Sequence, residues 1–285
     1  MKQRSRREIL KELGIGAAVM SARPKDSPQG TVWPGARSKT SSEASAHATL
    51  MAIAAHPGDT VFTMAAAAGR QVNAGGRGVL FSLTHGEHGD PAIPPAEYGA
   101  MQVAATEKAA KILGAEALFL PYPDGELPNN EAVRFQVCDA IRKYKPDIII
   151  THWKGSMHKD HRACYHIVGD AIFYAGLPGI KRELPAHSVS QLLFAENWED
   201  AKGFKDDLYL DVTPVFARWV EACEAFPMWR GETGFDYDDY YKSLAVTRGA
   251  LARVGQKRSN RFKVAVALML APSWLARPVE SLPSP

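Results

Sequence analysis

Four short, almost wholly apolar runs, each followed by a stretch with helical periodicity, constrain this chain more than any other feature. They are Thr49–Ala55 (TLMAIAA), Arg77–Thr84 (RGVLFSLT), Ala117–Leu120 and Asp147–Thr151 (DIIIT). The stretches between and after them run from Asp59 through Val72, Pro95 to Leu113, Asn129 to Tyr144 and Asp160 to Tyr174. Strands that are apolar on both faces and alternate with helices predict an α/β, Rossmann-like fold, a mostly parallel sheet with helices on both faces. In the common doubly wound order 3-2-1-4, strands one and four are neighbours, and ligands gather at the C-terminal strand ends beside that switch point. After residue 176 the pattern loosens. Gly176 to Val189 reads as a loop, Gln191–Ala195 and Asp207–Val212 as short strands, and Pro214 to Phe226 and Asp236 to Val254 as helices.

Two polar clusters fall just beyond the ends of strands one and four: His56-Pro57-Gly58-Asp59 and His158-Lys159-Asp160-His161. Imidazole and carboxylate from two separate turns suit a metal site that keeps a coordination position open for water, which is the arrangement of catalytic rather than structural zinc. Each residue alone has an ordinary reading. His56 at a strand end is explained by a structural hydrogen bond, and Asp59 at a helix start equally well by capping. The conjunction with His158 and His161, spaced to share one side of a helix start with Asp160 between them, favours the metal reading.

Composition narrows the partners. Net charge is +3 over 285 residues, and five positive residues lie in the first eleven positions, so the remainder is nearly neutral. A phosphate-backbone partner needs a clustered basic stripe, so no nucleic acid is expected; the densest later run, Arg253 to Lys263, reads as a solvated helical face. Cys138, Cys164 and Cys223 are widely spaced and read as buried small hydrophobes, with no CxxC pair for a thiolate zinc site.

The N-terminus is separate in character. Ser5-Arg6-Arg7-Glu8-Ile9-Leu10-Lys11 precedes a mild apolar stretch, Leu13 to Ala22, and the order resembles a twin-arginine export signal over residues 1–22. That stretch is too short to span a bilayer, so no transmembrane helix is expected. Residues 23–46, rich in Pro, Ser and Gly, read as a linker, and 47–285 as the folded domain, exported to the periplasm or beyond.

Further motifs join the two clusters: Thr84-His85-Gly86-Glu87-His88-Gly89, Glu107 to Gly114, Asp124-Gly125-Glu126-Leu127 and Arg248-Gly249. Together with AHPxD at 55–59 and HxDH at 158–161, they make the chain resemble the PIG-L or LmbE-like family of zinc-dependent N-deacetylases over most of residues 49–265. The resemblance implies one Zn2+ held by His56, Asp59 and His161. It makes His158, supported by Asp160, the group that stabilises the oxyanion or protonates the leaving amine, and it places Glu87 and Asp124 near the hydroxyls of an N-acetylglucosamine-type sugar. For Glu87 and Asp124 a turn-forming carboxylate is an equal reading.

One position departs from the family pattern. The motif is usually AHPDD, whose first Asp is the general base, and here that position is Gly58. General-base assistance contributes about two to four orders of magnitude, so the expected amide hydrolysis is impaired or uses a substitute such as His158, Asp160 or Glu87. Glycine is also expected to widen the site, admitting a substrate carboxylate or a bulkier group. The alternative is a non-catalytic, metal-dependent carbohydrate-binding protein. A nucleotide-binding Rossmann module is disfavoured, because strand one ends in AAHPGD without the Gly-rich turn that a pyrophosphate needs.

Overall fold

The computed structural model of the protein describes residues 47–199, 202–252 and 264–271. The segments read as export signal and linker, and the basic run 253–263, lie outside the described residues. Seven strands form one sheet in the order β3-β2-β1-β4-β5-β7-β6. Strands β1 (Thr49–Ala54), β2 (Arg77–Thr84), β3 (Glu116–Tyr122), β4 (Ile148–His152) and β5 (Gln191–Ala195) run parallel. At the far edge β7 (Ala265–Leu270) pairs antiparallel with both β5 and β6 (Leu208–Asp211). The sequence reading has no strand at 265–270; a six-residue apolar run has no period of its own that separates strand from buried helix.

Helices cover both faces, as the near-continuous apolar strands require. Along β1, Leu50, Ala52 and Ala54 enter one buried cluster while Met51 and Ile53 enter the other. The first cluster is filled by α1 (Pro57–Asp59, a π-helical turn at Thr60–Met64, then Ala65–Asn73), α2 (Pro95–Leu113), α5 (Phe216–Cys223) and α6 (Tyr237–Ala252). The second is filled by α3 (Glu131–Tyr144) and α4 (Lys159–Gly176). Each fully buried aliphatic side chain adds about 1.5–3 kcal/mol, so a strand buried on both faces is strongly fixed in register. Leu50 pairs with Gly78 of β2 and with Ile148 of β4, and this fixes the strand ends that present the two polar clusters side by side. Among the described residues no helix is long and apolar enough to cross a membrane.

Candidate metal centre and its cleft

His56 follows β1 with extended backbone, and Pro57 opens α1, where its missing amide proton costs nothing. Asp59 sits inside the first helical turn and makes no capping bond, so the capping explanation for it falls away. The cap of α4 is instead His158, whose Nδ1 accepts from the Asp160 amide at 3.2 Å. His161 lies one turn into that helix and is 2 % exposed.

Three side-chain atoms from these two turns converge. Asp59 Oδ2 lies 2.8 Å from His56 Nδ1 and 2.9 Å from His161 Nε2, and the two imidazole nitrogens are 3.3 Å apart. Tetrahedral zinc ligands about 2.0–2.2 Å from the ion stand about 3.3 Å from one another, so this triangle matches one face of such a site after a small expansion. Each of the three is also held from behind. His56 Nε2 meets Asp124 Oδ1 at 2.9 Å, His161 Nδ1 meets Ser156 Oγ at 3.0 Å, and Asp59 Oδ1 accepts from Asn197 Nδ2 at 2.9 Å. Outer partners of this kind fix tautomer and ring orientation, so the donor set fits a metal ion by its chemistry as well as its spacing.

The charges follow from the same contacts. Burial opposes the charged form of His56, but Asp124, Asp160 and Asp59 outweigh it and hold the imidazole well above its ordinary pKa. Burial likewise opposes ionisation of Asp59, yet His161, His56 and His152 hold it well below the carboxylate range. His158 moves the other way, pushed down to about 4 by burial and by the neighbouring His56 and His161. It is therefore neutral at neutral pH. With its Nδ1 accepting the Asp160 amide, the remaining proton sits on Nε2, which makes His158 a hydrogen-bond donor rather than a proton acceptor.

The expected supporting role of Asp160 is redirected. Its carboxylate, fully buried, accepts from the Gly125 and Leu127 amides at 2.7 and 3.2 Å and stands 3.5 Å from His56 Nε2. It thus steadies His56 and the turn at 124–127, and touches His158 only through its backbone. Asp124 also turns inward, towards His56 and the His88 amide at 3.2 Å, so it positions a candidate ligand. Glu87 is not among the residues that line the cleft; its Oε1 accepts from the Asp124 amide at 2.9 Å and so builds the loop behind the site. As substitute bases, Asp160 and Glu87 are both committed to amides away from the opening.

The triangle opens into a cleft of about 250 Å³. Gly58 forms part of its wall, yet the absent side chain leaves no widened space: a Cβ there would meet Phe62 Cε2 at 3.3 Å and Met228 Sδ at 3.5 Å. The expected enlargement at Gly58 is thus replaced by an apolar filling. Tyr98 and Gln102 point their polar groups at the same Met228 sulfur, 3.6 and 3.5 Å away. Gly86, at φ +64°, brings the loop after β2 so close that its Cβ would stand 3.1 Å from Pro57 Cδ, so only glycine fits there.

Several residues here carry no motif signal. His152, at the end of β4, stacks on His161 with ring centroids 3.9 Å apart and accepts from the Ala55 amide. Ser156, Asn197, Trp198, Glu199, Met228 and Tyr237 complete the surroundings. The one available signal was position, because Asn197 to Glu199 directly follow the carboxyl end of β5.

An α/β sheet with a two-His, one-carboxylate cluster at the C-terminal ends of its central strands defines a candidate metallohydrolase. Residues 51–172, which carry both clusters, match the family model for PIG-L, described as GlcNAc-PI de-N-acetylase, in keeping with the resemblance that the motifs carry. The chain is 23 % identical over 237 residues to the diacetylchitobiose deacetylase of Thermococcus kodakarensis, covering 78 % of this chain and 86 % of that one. Among solved structures it is similar to the N,N'-diacetylchitobiose deacetylase of Pyrococcus horikoshii, with a TM-score of 0.65 and 20 % identity over 79 % of this chain and 84 % of that one. It is also similar to GalB, the 4-carboxy-2-hydroxymuconate hydratase of Pseudomonas putida KT2440, with a TM-score of 0.72 and 21 % identity over 78 % and 95 % of the two chains. At these identities the structural likenesses establish the fold, and a hydratase among them shows that one fold carries more than one chemistry.

Proposed function

We propose that this protein is a zinc-dependent hydrolase that removes an N-acyl group, in the simplest case acetyl, from an N-acetylglucosamine-type sugar or conjugate. The observation that carries the reading is the convergence of His56 Nδ1, Asp59 Oδ2 and His161 Nε2 within 3.3 Å of one another. The family description and the names of its relatives support the same substrate class. His56, Asp59 and His161 would hold one zinc ion, which supplies Lewis acidity to polarise an amide carbonyl and to make a water acidic near neutral pH.

The chain's own groups do the rest. Neutral His158, which lines the cleft, would donate its Nε2–H to the carbonyl oxygen as negative charge develops; one such donor contributes about two to three orders of magnitude in kcat. Asp124 and Ser156 hold the two candidate imidazole ligands, and Asn197 turns Asp59 so that one oxygen faces the triangle. Position 58 brings no carboxylate, so deprotonation of the attacking water is the weak step and turnover falls below that of a relative with Asp there. The test is release of acetate from N-acetylglucosamine and diacetylchitobiose by zinc-loaded protein, with and without chelator. Metal-independent release, or none from any N-acylated amino sugar, would remove this reading.

Export is part of the proposal: residues 1–22 would direct the folded domain, 47–285, out of the cytoplasm, supported by the arginine pair followed by an apolar run. N-terminal sequencing of the cell-fractionated protein tests it.

A further inference from the structure

One wall of the cleft is largely apolar, with Phe62, Met228, Tyr237 and Trp198 in its lining, and it starts beside the candidate ligands. Phe62 and Met228 close over Gly58, at 3.3 and 3.5 Å from where its Cβ would stand. Phe62 is followed by Tyr237 at 5.2 Å between ring centroids, Tyr237 by Phe235 at 4.9 Å, and Phe235 by Trp198 at 4.5 Å with the planes only 15° apart. Tyr237, Trp198 and Met228 are half-buried and face the cleft rather than disappearing into the core. The opposite wall is polar, with His158, Asp124 and the backbone at Gly86 and Gly89, while Glu199 and Thr233 border the apolar side.

An amide bound with its carbonyl at the ligand triangle cannot present both substituents to one wall, because the amide is planar and trans and sends them in opposite directions. A hydroxyl-bearing sugar suits the polar wall. The other substituent, the acyl group, then meets the apolar wall. An acetyl methyl covers one contact on such a surface, whereas this wall offers Met228 and two half-buried lining rings, Tyr237 and Trp198, with Phe235 packed against both from outside the lining. Gly58 keeps the start of this wall uncharged, since a carboxylate there would place a charge between the wall and the reaction centre.

We infer that the acyl side of this cleft is a binding subsite for an extended apolar acyl group, several carbons long, and that Met228, Tyr237 and Trp198 select it over acetyl. The inference rests on the N-acyl hydrolase reading above and names the substrate class within it. Each methylene laid on this wall gains transfer free energy from water, so affinity rises steadily with chain length.

The experiment uses the zinc-loaded full chain and N-alkyl glucosamines from N-ethyl to N-hexyl, which carry the chain without a cleavable amide. Calorimetric Kd values are expected to fall at least tenfold from N-ethyl to N-hexyl, and Trp198→Ala and Met228→Ala each to shrink that ratio at least threefold. In parallel, kcat/KM is expected to rise from N-acetyl- to N-hexanoylglucosamine. A flat Kd across the alkyl series overturns the inference, as does a gain that follows an aryl group on the anomeric oxygen instead. A chain-length gain in Kd with no hydrolysis of any acyl compound keeps the subsite and removes the hydrolase reading, so the two failures are distinguishable.

Discussion

Asn197 donates its Nδ2–H to Asp59 Oδ1 across 2.9 Å, and its own carbonyl accepts from the Tyr241 hydroxyl at 3.1 Å. This pair ties the end of β5, and through it α6, to the first turn of α1. Because one carboxylate oxygen is engaged by Asn197, the other is left to face both candidate imidazole ligands. Glu196, next in the chain, is paired with Arg248 of α6, so the segment that carries Asn197 is itself anchored.

Asn197→Leu is accordingly expected to weaken zinc binding by about 10–100-fold, the usual effect of losing an outer partner of a ligand. Competition against a chromophoric chelator reads it directly. Tyr241→Phe, which loses the hydroxyl's bond to Asn197 together with its contact to the Trp198 backbone, should fall between wild type and Asn197→Leu. Wild-type affinity in Asn197→Leu would show that Asp59 needs no such support.

The pH dependence has opposite signs with and without metal. The raised pKa of His56 contributes stability that is fully present below its unfolded value, 6.5, and is lost as pH rises through the folded value. The lowered pKa of Asp59 contributes stability present above 3.8 and lost as pH falls through its folded value. His158, pushed down to about 4, contributes stability present above 6.5 and lost as pH falls towards 4, so metal-free protein should melt highest near pH 6.5 and decline on both sides. Zinc needs His56 Nδ1 without its proton, so affinity should climb about tenfold per pH unit below the folded pKa of His56. Thermal melts from pH 4.5 to 8.5 with and without zinc check both; parallel curves would contradict the assignment of His56 as a ligand.

Gly58→Asp is expected to raise hydrolysis of an N-acetyl amino sugar, up to the two to four orders of magnitude of a general base. The Cβ meets the Phe62 ring edge at 3.3 Å, so the ring must yield by a few tenths of an ångström. Gly58→Asp with Phe62→Leu relieves that contact and should gain at least as much. Unchanged rates with zinc still bound in both variants would mean that position 58 does not limit the reaction.

His158→Gln removes the imidazole whose Nε2–H is expected to meet the oxyanion. A loss of about 10²–10³ in kcat with KM changed little is the signature of a contact made in the transition state. An equal rise in KM with kcat preserved would instead make His158 a substrate-binding group.

Some of this site was legible as sequence because its geometry is local. His56 and Asp59 share one turn, and His158 and His161 share one helix start, so short spacing already commits them to a common direction. The strand patterns then placed both turns at neighbouring strand ends, and the order β3-β2-β1-β4 agrees with the doubly wound expectation. Direction within the loops was not legible. Asp124 and Glu87 read equally well as sugar contacts or turn formers, and only the fold turns Asp124 towards His56 and Glu87 towards the Asp124 amide.

What the sequence determined by itself was therefore the class of sheet and the identity of the polar cluster, since both follow from periodicity and short spacing that the backbone translates directly into space. The tertiary structure decided which atom of each group faces the opening, and what stands where Gly58 has no side chain. Asn197 reaches Asp59 across 138 positions, and Met228 and Tyr237 come to the Gly58 turn from beyond β6. No local pattern encodes such meetings, because they exist only once both faces of the sheet have been buried and the second half of the chain has packed over the ends of the first.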